Sequence, residues 1–238
     1  MTDAEWLSEP NFVRLVQYVE PRASARKLRL LAAAFCRAGG AILNNPDLIA
    51  AVDTIDNYAD GVVSAAELEK ARAHARVVAV QAYENYVRWS EGAVREGANP
   101  MVEHQVAWAV AFAATTPLPV AAVGTRMGEA SGQPGPDAGL LAEAVAPPEF
   151  LAKLRSVVFD LFGNPFQPVP ADPTWRREET VALANKMYES RDFSSMPALG
   201  DALQKLGCTN EAVLTHCRDA SRPHFRGSWV VDLVLGKE

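Results

Sequence analysis

Thiols are scarce in this sequence. Three cysteines among 238 residues are too few, and odd in number, for a disulfide framework. A leader pattern is missing as well, because MTDAEWLSEP is acidic and lacks the basic-then-apolar order of a secretory signal. Long apolar runs are absent. The nearest, residues 105–122 (QVAWAVAFAATTPLPVAA), is rich in alanine, follows Glu103 and His104, and contains Pro117 and Pro119. It falls short of the ~20 strongly apolar residues that a span requires. Charge of one sign is not in large excess either: the formal net charge of -6 leaves no bulk basic surface for nucleic acid. The chain has no G-x-S-x-G, no phosphate-cradling glycine loop and no H-E-x-x-H, so the common catalytic signatures are excluded. These absences lead to the expectation of a cytoplasmic protein with reduced thiols, without a cofactor, a membrane span or a nucleic-acid partner, and non-enzymatic.

Helical punctuation dominates what is present. Hydrophobic residues at 49% and charged residues at 22% are enough to bury a core. Thr2 and Glu5 form a capping box ahead of Trp6 and Leu7, and Pro10 opens NFVRLVQYV. Ser24 caps ARKLRLLAAAFCRAGGAIL, and Ser64 starts SAAELEKARAHARVVAVQAYENYVRW, with further helices expected over 47–59 and 101–115. From 117 to 148 the composition turns to proline, glycine and alanine, which predicts a linker or loop between an N-terminal helical region (1–116) and a C-terminal one (149–238). Order resumes at PPEFLAKLRSVVFDLFG, and helices follow near 178–190, 197–206 and 210–218. WVVDLVL is compatible with an extended or a helical tail segment. The fold class read from this pattern is mainly α, a multi-helix bundle with that tail packed on it.

Three groups of residues carry chemistry. Asp56, Asp60, Gly61, Ser64 and Glu67 fall at calcium-loop positions, but Tyr58 stands where an oxygen ligand is needed, and Ser64 with Glu67 is already a capping box. Cys36, Cys208, His216, Cys217 and His224 have the softness zinc prefers. Their spacing makes no local site, and buried helical cysteines are ordinarily small apolar residues. Arg22, Arg26, Arg29 and Arg37 share an ~80° sector of one helix, opposite Leu31 and Phe35. Joined by His216, Arg218, His224 and Arg226 of the tail, they would suit a protein partner's acidic surface or a phosphate-bearing ligand. On that reading Arg26→Glu with Arg29→Glu would leave the fold intact.

EWL near the start, SARKLRLLAAAFCR, NYADGVVSAAELEKAR, LFGNPFQPV, LANKMYESRDFSSMPALGDALQKLGC, LTHCR and HFRGSWVVDLVLGKE together resemble a large paralogous family of uncharacterised bacterial proteins. The resemblance covers most of the chain outside 97–148, and the tail is its most specific part. It implies no activity. It also implies more cysteines than this chain has: relatives carry several in the first long helix and one before the tail tryptophan, where this chain keeps Cys36 and Ser228. A site that needed those thiols would be crippled here. The tail residues Trp229, Val230, Val231, Leu233 and Leu235 are expected to dock on the helical body. The leading expectation is a protein-interaction or regulatory module, with a binder of anionic ligands and a zinc-stabilised domain as the alternatives.

Overall fold

The computed structural model describes residues 1–91, 99–131, 147–219 and 221–237. Among them are twelve α-helices and no strand. In chain order they are α1 (Asp3–Ser8), α2 (Phe12–Val19), α3 (Ala25–Ala38), α4 (Pro46–Ala59), α5 (Ala65–Ser90) and α6 (Pro100–Ala113). Then come α7 (Val120–Ser131), α8 (Pro148–Phe162), α9 (Glu178–Ser190), α10 (Met196–Lys205), α11 (Glu211–Arg218) and α12 (Trp229–Leu235). No helix among the described residues is long and apolar enough to cross a membrane.

Several starts follow directly from side chains. Thr2 and Ser64 each accept from the N–H three residues on, while Glu5 and Glu67 return the bond. Ser24 accepts from Lys27 N–H and Asn45 from Asp47 and Leu48. Pro10, expected to open the second helix, lies outside it. Asn11 is the cap there, with its side chain accepting from Val13 N–H.

The chain divides into two compact units, Pro10–Arg155 and the pair Met1–Glu9 with Ser156–Glu238, so the division falls within α8. In the first unit α3 is surrounded by α4, α6 and α7, and α5 lies along α6. Leu30, Leu31, Phe35, Val52, Ile55 and Val110 are fully buried there. The composition of 117–148 suggests a linker, yet residues 120–131 form α7, whose Val120, Val123 and Met127 are buried. Gly124 permits that packing: a β-carbon there would stand 2.5 Å from Phe12 Cε2 and 3.2 Å from Phe35 Cδ2. The glycine that looks like a linker residue is a contact point between helices. The rest of the expected linker, 132–146, lies outside the described residues.

The second unit is built on Met187, Leu199, Leu203, Val213, Val230, Val231 and Val234. Its turn after α8 is held on two sides. Trp6, fully buried, meets Phe159 edge-on at 5.2 Å and donates its indole N–H to Gly163 O at 3.2 Å. Gly163 has φ +59°, and a β-carbon on it would lie 3.2 Å from the Trp229 ring. Asp3 accepts from Asn164 Nδ2 (2.8 Å) and Gln167 Nε2 (2.6 Å). The tail segment is helical. Its valines, each worth about 1.5–3 kcal/mol on burial before entropy, supply the docking that the apolar pattern promises.

Candidate functional site

The basic face read from the helical wheel is engaged within its own unit. Arg29 is 7% exposed, and its guanidinium donates to Ala113 O (2.7 Å), Thr115 O (2.8 Å) and Thr116 Oγ1 (3.2 Å). It thereby satisfies carbonyls at the C-terminal end of α6, where a cation also meets the negative end of the helix dipole. Arg37 bridges Asp53 Oδ1 (2.6 Å) and Asp56 Oδ2 (2.7 Å), and Arg26 pairs with Asp60 Oδ1 at 2.8 Å. Arg22 bonds Tyr18 O at 2.6 Å and lies 4.2 Å over the Tyr18 ring. Arg26, Arg29 and Arg37 thus lie on a sector that faces α4 and the end of α6 and is not an open surface, whereas Arg22 lies before α3, exposed in the turn after α2.

The same ion pairs occupy the calcium-like loop. Asp56 and Asp60 are bound by Arg37 and Arg26, and Glu67 Oε2 accepts from Ser64 N–H (2.7 Å) and Ser64 Oγ–H (2.8 Å). The residues at calcium-loop spacing therefore act in capping and helix pairing.

The thiols are packed as core residues. Cys36 is fully buried on α3, while Cys208 and Cys217 are buried in the core of the second unit. Burial pushes the Cys36 and Cys217 thiols up to about 12, so neither presents a thiolate near neutral pH. We expect no cysteine of the native protein to react with a chromogenic disulfide at pH 8 within minutes, and all three to react once urea unfolds it. Fast labelling of the native chain would contradict the burial.

Of the predicted tail residues, the structure brings His216 and His224 together and leaves the arginines outside. Arg218 bonds Asp201 and Gln204, each at 2.6 Å, Arg222 pairs with Asp219 at 2.7 Å, and Arg226 lies 4.5 Å over the Tyr188 ring. The two imidazoles meet at Asp160, a residue of α8 that sequence reasoning missed. Asp160 Oδ1 accepts from His224 Nδ1–H at 2.7 Å and faces His216 Nε2 at 3.2 Å, while Oδ2 accepts from Phe225 N–H at 2.8 Å. The side chains of Asp160, His216 and His224 are 1%, 6% and 6% exposed.

Trp229 fixes the proton order. An indole N–H can only donate, and it points at His216 Nδ1 at 3.1 Å. His216 Nδ1 is therefore the acceptor, and the ring proton sits on Nε2, between Asp160 Oδ1 and Ser228 Oγ (3.0 Å). Burial lowers the His216 pKa from its ordinary value, outweighing the bond to Asp160 that would raise it. Burial would raise Asp160, but the hydrogen bonds from both histidines hold its pKa below the usual carboxylate value. The result is a buried carboxylate gripping two imidazoles and one backbone amide, with the His216 and His224 rings crossing edge-on at 4.9 Å. Nothing in the sequence near Asp160 signals this role, because its partners lie up to 65 residues away.

No protein-family model, curated protein or solved structure shows significant similarity to this chain.

Proposed function

We propose that this chain is a non-enzymatic helical interaction module of the cytoplasm, an adaptor or regulatory protein, and that its partner docks on α5 rather than on the arginine face of α3. The observation that carries this reading is an apolar stripe on the solvent side of α5. Val77, Val80, Tyr83 and Val87 are 67%, 55%, 50% and 36% exposed, whereas Leu68, Ala75, Ala79 and Ala82 form the buried face. At ~100° per residue the four exposed side chains span an arc of ~120°, wide enough to receive one amphipathic helix. Single exposed apolar residues are ordinary; four within one arc over three turns form a face, in which exposed Arg76 and Glu84 are also set.

Charge indicates the occupant. Arg76 at the N-terminal end of the stripe and Arg88 at its C-terminal end make no ion pair among the described residues, while the acid in the same face, Glu84, accepts from Gln81 Nε2 at 3.4 Å. A helix with apolar anchors and acidic flanks would satisfy both features. Such a partner should be trapped by a photoreactive residue at Val80, and Arg76→Glu with Arg88→Glu should abolish the adduct while helicity by circular dichroism stays unchanged. An adduct only with a second copy of the chain, with a partner lacking acidic flanks, or with nothing, would overturn the proposal.

A further inference from the structure

We propose that Asp160, His216 and His224 bind one divalent transition-metal ion of the zinc type. The residues come from α8, from α11 and from the segment between α11 and α12, all within the Ser156–Glu238 part of one unit. A carboxylate oxygen and one nitrogen of each imidazole lie within 4.8 Å of one another. Two of the separations are 2.7 Å and 3.2 Å. Ligand atoms at bonds of about 2.0–2.2 Å in tetrahedral array stand roughly 3.4 Å apart, so small side-chain shifts would admit an ion.

The donor set selects the metal class. Two imidazole nitrogens and one carboxylate suit zinc and its neighbours. Calcium asks for six to eight oxygens and magnesium for an oxygen octahedron, which a single carboxylate cannot supply. The outer partners are those a metal site uses: Phe225 N–H holds Oδ2 of Asp160 so that Oδ1 turns inward, and Ser228 Oγ places a polar group beside the fourth position.

The protons balance. Asp160 is already a carboxylate. Each neutral ring offers its lone pair by moving its own proton to the other nitrogen, so His216 would carry N–H on Nδ1 and His224 on Nε2. That exchange removes the acceptor of the Trp229 indole N–H and sets two N–H groups against each other, so the indole must turn away when the ion enters. Metal entry is therefore reported by Trp229. The proposal stands apart from the α5 reading, and either can fail alone.

The test uses the full chain, stripped with a chelator and dialysed, then titrated with zinc and with cobalt. One ion per chain is expected, with tryptophan emission changing in step and the change lost in Trp229→Phe. The cobalt spectrum should show the visible bands of a low-coordinate nitrogen and oxygen site and no thiolate charge-transfer band. His224→Asn and Asp160→Asn should each weaken binding beyond the roughly 10- to 100-fold that loss of an outer partner costs. A Cys36→Ser, Cys208→Ala, Cys217→Ala variant should bind as before. If Asp160→Asn does not fold, the His224→Asn result decides. Absence of stoichiometric binding, binding that survives His224→Asn, or a thiolate band would overturn the proposal.

Discussion

Asp160→Ala, measured by urea unfolding in the presence of a chelator, is expected to destabilise the C-terminal unit by about 3–5 kcal/mol. The carboxylate is the acceptor for Phe225 N–H and His224 Nδ1–H and faces His216 Nε2. His216 retains Ser228 Oγ as a partner. The other two donors are left buried without one, at about 1–3 kcal/mol each, and the cavity of the lost carboxyl adds to the cost. The chelator separates this loss from any contribution of a bound ion. The urea midpoint should fall with little change in slope, and a shift worth less than about 1 kcal/mol would show that the carboxylate carries no structural load.

Arg29→Glu should be still more damaging, by at least about 5 kcal/mol, because it places a carboxylate against three oxygen acceptors in a buried site. Arg29→Met, which removes the charge and keeps most of the volume, should cost about 3 kcal/mol. For a body of this size roughly 2–4 °C accompanies each kcal/mol, so thermal melting should fall by 10 °C or more for the glutamate. Arg22→Glu is the control, since Arg22 is exposed in the turn after α2 and bonds the nearby Tyr18 carbonyl, and it should stay within about 0.5 kcal/mol of the parent. A melt for Arg29→Glu equal to that of Arg22→Glu would restore the open arginine face that the sequence suggests.

The contrast between these two arginines shows where sequence reasoning reaches its limit. Helix existence was legible because caps and periodicity are local: Thr2 with Glu5, Ser64 with Glu67 and the apolar face of α3 all lie where their spacing puts them. What covers a helix face is not local. Arg29 reads as a surface cation until the end of α6, 84 residues away, supplies its acceptors. Residues 120–131 read as linker because glycine and alanine seldom anchor a core, yet Gly124 is needed for the close approach of Phe12. In the candidate site the histidines were visible by type. Asp160 was not, because one aspartate in an apolar helix has no distinguishing neighbours. The shape of WVVDLVL was likewise open, since a seven-residue apolar run fits either period and only its neighbours choose the helix.

The bond from Trp6 to Gly163 spans 157 residues, and it imposes an order of events during synthesis. At ~5–20 residues per second, Trp6 leaves the ribosome roughly 10–30 s before the turn that receives it. The whole of Pro10–Arg155 emerges in that interval and is contiguous, so it can collapse first. Trp6 is therefore covered only once the end of α8 and the turn at Gly163 have emerged.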